Sequence, residues 1–393
     1  MPATLTANWS FPTRILVGPG RLAELGAACK SSEIARPLIV TDKGLADGPV
    51  IKKAAALLKE AGLPATVFSD VRGNPTETNV KAGLVAFRAG SHDGVVAIGG
   101  GSALDVGKCI AFMNGQTRPI WDFEDIGDWW TRAEMKGIAP IVAVPTTAGT
   151  GSEVGRAGVV TNEATHQKKI IFHPLMLPKI VIEDPETTTG LPPFLTAATG
   201  FDALAHCFEA YCSPGFHPLA DGIALEGLRL VKVYLPRAYR DGSDLEARSR
   251  MLAAASMGAT AFQKGLGAVH SISHPVGALY DTHHGLTNGV VLPYVMSFNR
   301  AAIAERMRLV GRVLDLARPD FDGVLDWILA LRKELGVPHT LAELGVGEER
   351  IDEMAAMAVD DPTAASNPIR MEAADFAKVI RAALRGDVAG AGR

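Results

Sequence analysis

The chain has 393 residues, 47% hydrophobic and 21% charged, a balance that excludes long-range disorder and a length that leads to an expectation of two domains. Its 39 Lys and Arg against 43 Asp and Glu sum to −4, so nucleic acid finds no bulk electrostatic hold. No uncharged apolar run reaches the roughly 18 residues of a membrane span, and the opening MPATLTANWSFPTR has neither the basic nor the apolar region of a secretory signal.

Up to about residue 185, short β-branched runs alternate with helical patterns. Strands are predicted at 14–17, 37–41, 65–69, 95–98, 141–144 and 179–182, with helices at 22–29, 50–61, 77–89 and 103–113. That alternation predicts a mostly parallel, doubly wound sheet. The continuous runs LIV and VVAI suit strands covered on both faces. A boundary follows at Asp184-Pro185, TTTG and Pro192-Pro193. Beyond it Ala/Leu/Arg/Glu-rich stretches with a 3.6-residue period, such as 220–235 and 244–263, predict an all-helical half. The expected domains are therefore 1–185, α/β, and 186–393, helical. The last eight residues, GDVAGAGR, read as a frayed tail. The four cysteines, Cys29, Cys109, Cys207 and Cys212, form no C-x-x-C pair and suit a reducing, cytoplasmic compartment.

Two loops carry a nucleotide signal. The strand Val95–Ile98 runs into Gly99-Gly100-Gly101-Ser102 and a helix bearing Asp105 and Lys108. A glycine turn opening a helix lets backbone N–H groups approach a phosphate, with the helix dipole assisting. The turn is neither G-x-G-x-x-G nor a Walker A loop. A second turn, PTTAGTGSE from Pro145 to Glu153, also follows a strand, and ligands of parallel sheets sit at the carboxyl ends of strands. Asp42 ends the strand PLIVTD. A carboxylate there can accept both ribose hydroxyls and repel a 2′-phosphate, or it can be an exposed turn residue.

The helical half carries a metal signal. Six of the ten histidines lie between residues 206 and 284. Asp202 and His206 are spaced i, i+4, as are His270 and His274, and His283-His284-Gly285 follows. Such pairs share a helix face, and Asp plus His donors suit a divalent transition metal. His92, His166, His173, His217 and His339 have no comparable partners and read as ordinary capped or solvated side chains.

Six stretches in order, FPTRILVGPGRL, GGGSALDVGK, PTTAGTGSE, TAATGFDALAHCFEAY, GLGAVHSISHPVGALYDTHHG and DDPTAASNP, resemble the iron-containing (group III) alcohol dehydrogenase family across essentially the whole chain. The resemblance implies a Rossmann-like N-terminal domain and an all-α C-terminal domain, the dehydroquinate-synthase-like architecture, with the active site in the cleft between them. By motif it implies the ligands Asp202, His206, His270 and His284, with His284 preferred to His283 because fourteen residues separate it from His270. His274, the second histidine of the H-x-x-x-H pair, falls near substrate and nicotinamide and is the expected proton relay, since imidazole exchanges protons near neutral pH. The implied cofactor contacts are Asp42, Asn74 in GNPTETN, Gly99, Gly100, Gly101, Ser102, Thr146, Thr147, Thr150 and Lys168. Lys168 is placed by counting six residues back from Pro174.

The resemblance further implies NAD(H), with Asp42 favouring it over NADP, a small primary alcohol or aldehyde as substrate, and a homodimer or higher homo-oligomer. Fe(II) is the family's usual metal, and the same donors accept zinc. With Fe(II), one carboxylate and three neutral imidazoles would leave one net positive charge, which favours an oxyanion. A glycerol-type polyol dehydrogenase, a dehydroquinate-synthase-like lyase and an oxo-acid reductase share the fold. PTTAGTGSE and GGGS favour the alcohol dehydrogenase branch, and the intact ligand set argues against a non-catalytic binder. Gly107 departs from the family's alanine, at about 1 kcal/mol of helix propensity.

Overall fold

The sheet order follows from where the apolar runs fall. In the computed structural model, which describes residues 11–165 and 167–392, six strands lie parallel: β1 (Arg14–Val17), β2 (Pro37–Val40), β3 (Thr66–Phe68), β4 (Gly94–Gly99), β5 (Ile141–Pro145) and β8 (Ile180–Glu183), in the order β1-β8-β5-β4-β2-β3. Strands β2, β4, β5 and β8 are buried along their whole lengths, as strands covered on both faces must be. Helices α1 (Leu25–Ser31) and α2 (Pro49–Glu60) pack together against Ile39, Val96, Val142 and Ile180. Helices α3 (Glu77–Ala89) and α4 (Gly101–Met113) pack with each other, α4 lying against β4 and β5.

The strand that follows β3 in sequence, β4, returns to the other side of β2, so the winding direction reverses between β2 and β4. In open parallel sheets ligands bind at the carboxyl ends beside such a reversal. Gly107 belongs to that packing. A Cβ there would stand 2.8 Å from the Ala97 Cβ on β4, so the propensity cost read from the sequence is what permits α4 to lie this close.

The predicted strand list leaves out an antiparallel hairpin, β6 (Ala157–Asn162) and β7 (Gln167–Phe172). Asp105 and Lys108, in the glycine-loop helix, clasp it. Asp105 accepts from Val159 N–H at 3.0 Å and from the Ser152 hydroxyl at 2.5 Å, and buried Lys108 donates to the carbonyls of Ser152 and Ala157. His166 and residues 1–10 lie outside the described residues.

The second unit is helical: α5 (Pro193–Cys212), α6 (Pro218–Arg240), α7 (Leu245–Ala261), α8 (Ala268–Tyr280), α9 (His284–Val313), α10 (Phe321–Glu334), α11 (Ile351–Val359) and α12 (Ala373–Arg385). Proline at the first helical position opens α5 and α6, where its fixed φ and missing N–H cost nothing. Helix α5 packs against α6, α7 and α9 and is buried almost all round from Thr196 onward. By compactness residues 11–147 and 151–191 form the α/β unit, and 148–150 and 192–392 the helical one. None of the described helices is long and apolar enough to cross a membrane.

The expected frayed tail is corrected. Asp387 N–H donates to the Ala382 carbonyl at 3.0 Å, Lys378 donates to the Gly392 carbonyl, and Ala391 is fully buried. An alanine-glycine sequence looks featureless, but its small side chains let the segment fold back beneath α12.

Candidate functional site

Polar side chains inside an otherwise apolar helix need partners. On α5, Asp202 and His206 are 2% and 5% exposed. Together with His270, also buried, they form a group whose ligand atoms all lie within 4.8 Å of one another, placed to hold a metal ion. Asp202 Oδ1 is the common point: it lies 3.8 Å from His206 Nε2, 3.9 Å from His270 Nε2 and 3.6 Å from His284 Nε2. Two ligands about 2.1 Å from a tetrahedral ion stand about 3.4 Å apart, so these spacings fit one divalent ion with little adjustment.

Three elements deliver the donors. Helix α5 carries Asp202 and His206 one turn apart, α8 brings His270 and His274, and the first residue of α9 is His284. Gly285 sets the approach of α9 to α5, because a Cβ there would stand 2.2 Å from the Ala198 carbonyl oxygen and 3.1 Å from Asp202 Cβ. The rings are layered: His206 stacks on His270 at 4.7 Å and 18°, and His274 on His284 at 5.4 Å and 13°. Phe262 packs on His206 at 5.1 Å. His283 caps α9.

The two adjacent rings His206 and His270 are driven in opposite directions. Burial pushes His206 down to about 4, against a smaller opposing pull from Asp202, which leaves its lone pair free at neutral pH. Burial lowers His270 as well, but the hydrogen bond to Glu209 and the charges of Glu209, Asp202 and Asp361 outweigh it and raise the value. His274 Nδ1 lies 2.7 Å from Asp361 Oδ2. Burial would raise the Asp361 carboxyl, yet His274 and the hydrogen bonds from Thr363 hold it below the usual carboxylate range.

Three residues that the sequence reading left unassigned complete the cluster. Glu209, three residues after His206, contacts His270 Nδ1 at 2.5 Å. Asn288, four after His284, donates to Asp202 Oδ1 at 2.8 Å and lies 3.3 Å and 3.2 Å from the Nε2 atoms of His270 and His284. Asp361 sits in the DDPTAASNP stretch. Glu209 and Asp361 thus set two further carboxyl groups against the histidines, beside the one ligand carboxylate of Asp202. One carboxylate and three imidazoles, of which Asp202, His206 and His270 are buried and His284 is part-exposed, match Fe(II) or Zn(II).

In the α/β unit, most of the predicted cofactor residues gather at the carboxyl ends of β2, β4 and β5. Asp42 follows β2, accepts from Leu45 N–H at 3.1 Å, and places Oδ2 3.4 Å from where a Cβ on Gly99 would stand. Gly99 accepts from Thr146 N–H at 2.9 Å, and Gly100 abuts the Thr147 side chain. Gly100 and Gly101 open α4, and the Ser102 hydroxyl donates to the Gly73 carbonyl at 2.6 Å, next to Asn74. Lys168 is not at this edge. It pairs with Thr161 in the hairpin, and Thr161 in turn bonds the Pro75 carbonyl, so Lys168 stands one strand beyond the turn that holds Asn74. Thr150 belongs to the short segment that packs with the helical unit.

A parallel α/β unit with glycine and hydroxyl loops at its strand ends, and a helical unit bearing an Asp-plus-His metal group, define a class of metal-linked dehydrogenase. The comparisons with known proteins agree. The family described as iron-containing alcohol dehydrogenase matches residues 12–185, and the Fe-containing alcohol dehydrogenase family, C-terminal, matches 196–384. The chain belongs to the iron-containing alcohol dehydrogenase family. It is 40% identical over 380 residues to a 4-hydroxybutyrate dehydrogenase of Cupriavidus necator, covering 94% of this chain and 98% of the relative. It is 35% identical to an NAD-dependent methanol dehydrogenase of Bacillus methanolicus, covering 96% and 100%. Among solved structures, a 1,3-propanediol oxidoreductase superposes with a TM-score of 0.91 at 35% identity, covering 96% of this chain and all of that one.

Proposed function

We propose that the protein is a metal-dependent, NAD(H)-linked alcohol dehydrogenase and aldehyde reductase, moving a hydride between nicotinamide and a small primary alcohol or aldehyde. The observation that carries the reading is the convergence of three imidazole Nε2 atoms on Asp202 Oδ1, at 3.6 to 3.9 Å. Asp202, His206, His270 and His284 would hold the ion. When bound, Fe(II) or Zn(II) supplies Lewis-acid polarisation of the substrate's carbonyl or hydroxyl oxygen.

The remaining work falls to the chain. Gly99, Gly100, Gly101 and Ser102 would receive the pyrophosphate at the α4 N-terminus, with Thr146, Thr147, Thr150, Asn74 and Lys168 as further cofactor contacts and Asp42 on the adenosine ribose. Binding energy at those remote groups orients the nicotinamide. His274, held through Nδ1 by Asp361, keeps Nε2 for relaying the proton that accompanies hydride transfer. The four free, buried thiols support a reducing, cytoplasmic setting, and we place the enzyme there as a homodimer or higher homo-oligomer.

The test is NADH oxidation with short aldehydes, on protein stripped by chelator and reloaded anaerobically with Fe(II) or Zn(II). Turnover should appear only in the reloaded protein, and His270→Ala should lose both metal and activity. Equal rates in stripped and loaded protein would overturn the metal-dependent reading. A polyol or hydroxy-acid substrate is the second reading, favoured by the relatives named for 1,3-propanediol and 4-hydroxybutyrate. Both compounds therefore belong in the oxidative assay beside methanol and ethanol.

A further inference from the structure

Glu209 lies seven residues after Asp202 and three after His206, on the same face of α5. Its side chain is buried, and both oxygens are engaged with the start of α8. Oε1 accepts from Val269 N–H at 2.7 Å, and Oε2 meets His270 Nδ1 at 2.5 Å. With Oε2 accepting at Nδ1, the ring proton sits on Nδ1 and the lone pair on Nε2, the atom 3.9 Å from Asp202 Oδ1. His284 has a weaker contact at the equivalent place, the Ser273 hydroxyl at 3.4 Å from Nδ1.

We propose that Glu209 is a positioning residue for the metal group. It fixes His270 in the tautomer and ring orientation that present Nε2 to the group formed with Asp202 and His206. The inference rests on the reading that this cluster holds a metal. Gln at 209 could not replace the carboxylate, because its single oxygen can accept from Val269 N–H or from His270 Nδ1–H but its NH₂ would face the other donor.

The test compares wild type and Glu209→Gln, both loaded with Zn(II), in competition with chelators of graded strength, with bound metal counted by mass spectrometry. Loss of an outer carboxylate partner of a histidine ligand weakens metal affinity about 10- to 100-fold, and that loss is expected with the metal-free fold and NADH binding intact. Affinity within about twofold of wild type overturns the proposal. A second measurement needs no variant: in Zn(II)-loaded wild type with ¹⁵N-labelled histidine, His270 should carry its proton on Nδ1. A proton on Nε2 overturns the proposal even where Glu209→Gln fails to fold. Should wild type itself retain no Zn(II), the metal reading falls first, an outcome distinct from equal binding by both proteins.

Discussion

His274 Nδ1 and Asp361 Oδ2 stand 2.7 Å apart, joining α8 to the turn that opens at Pro362. Asp361 Oδ1 accepts from Thr363 N–H at 2.9 Å and from its hydroxyl at 2.5 Å, so the carboxylate is anchored independently of the histidine. The pair has the form of an imidazole oriented by a buried acid. Asp361→Asn keeps an oxygen for Thr363 but turns an NH₂ toward His274, which reverses the preferred tautomer. A proton relay through Nε2 should then lose roughly 10²- to 10⁴-fold in kcat with bound metal unchanged. A kcat within threefold of wild type, measured beside metal content, would remove His274 and Asp361 from the relay.

Gly285 and Gly222 make a matched pair of opposite expectations. At Gly285 a Cβ would press on the Ala198 carbonyl at 2.2 Å, whereas Gly222, inside α6, has open space around it. Gly285→Ala should cost about 1–3 kcal/mol by overpacking and displace His284, lowering retained metal as well as Tm. Gly222→Ala should instead stabilise by about 0.5–1 kcal/mol through helix propensity and a less flexible unfolded chain. Thermal unfolding of both variants, with metal assayed after gel filtration, checks the pair. Full metal retention in Gly285→Ala would show that α9 does not set the ligand position.

Local signals explain why so much of this architecture was readable. Val95–Ile98 is uninterrupted and apolar because both faces of β4 are covered, and Asp202/His206 share a face because a helix turn is 3.6 residues. Glu209, Asn288 and Asp361 have no such mark. Glu209 means nothing to His270 until α8 packs beside α5, a contact across 61 residues, and Asp361 reaches His274 across 87. The i+3 offset of Glu209 from His206 was nonetheless a usable clue, since a glutamate amid Cys207, Phe208, Ala210 and Tyr211 has to be paired. The tail ending at Gly392 carries no such mark either, because its partner Lys378 lies on α12 and nothing in the alanine-glycine pattern points to it.

The cysteines give a pH dependence away from the metal group. Burial pushes Cys29, Cys207 and Cys212 up to about 12, and Cys109 further still. Because the folded values lie above those of the unfolded chain, near 8.5, the thiols contribute stability that is fully present below about pH 8.5. It is lost as pH rises toward 12. Native protein at pH 8 should therefore react with a thiol reagent far more slowly than urea-unfolded protein, and its urea midpoint should fall steadily above pH 9. Rapid labelling of one thiol at pH 8 without loss of activity would contradict the burial of that cysteine.

Asp42 tests the cofactor edge of the sheet, and the right variant is Asn rather than Gly. Its Oδ1 also holds Leu45 N–H at 3.1 Å, so a glycine would loosen the turn and confuse geometry with charge. Asn keeps an acceptor for that N–H and removes only the negative charge. Two unit charges about 4 Å apart repel by about 1 kcal/mol in bulk water and about 4 kcal/mol at the effective dielectric of a protein surface, which spans roughly 5- to 1,000-fold in relative affinity. Asp42→Asn should accordingly raise kcat/KM with NADPH relative to NADH by at least about fivefold, with most of the change in the NADPH KM. An unmoved ratio would leave Asp42 as the cap of residues 42–45 and nothing more. It would also shift cofactor discrimination to the loops after β4 and β5, where Gly100 already lies against Thr147.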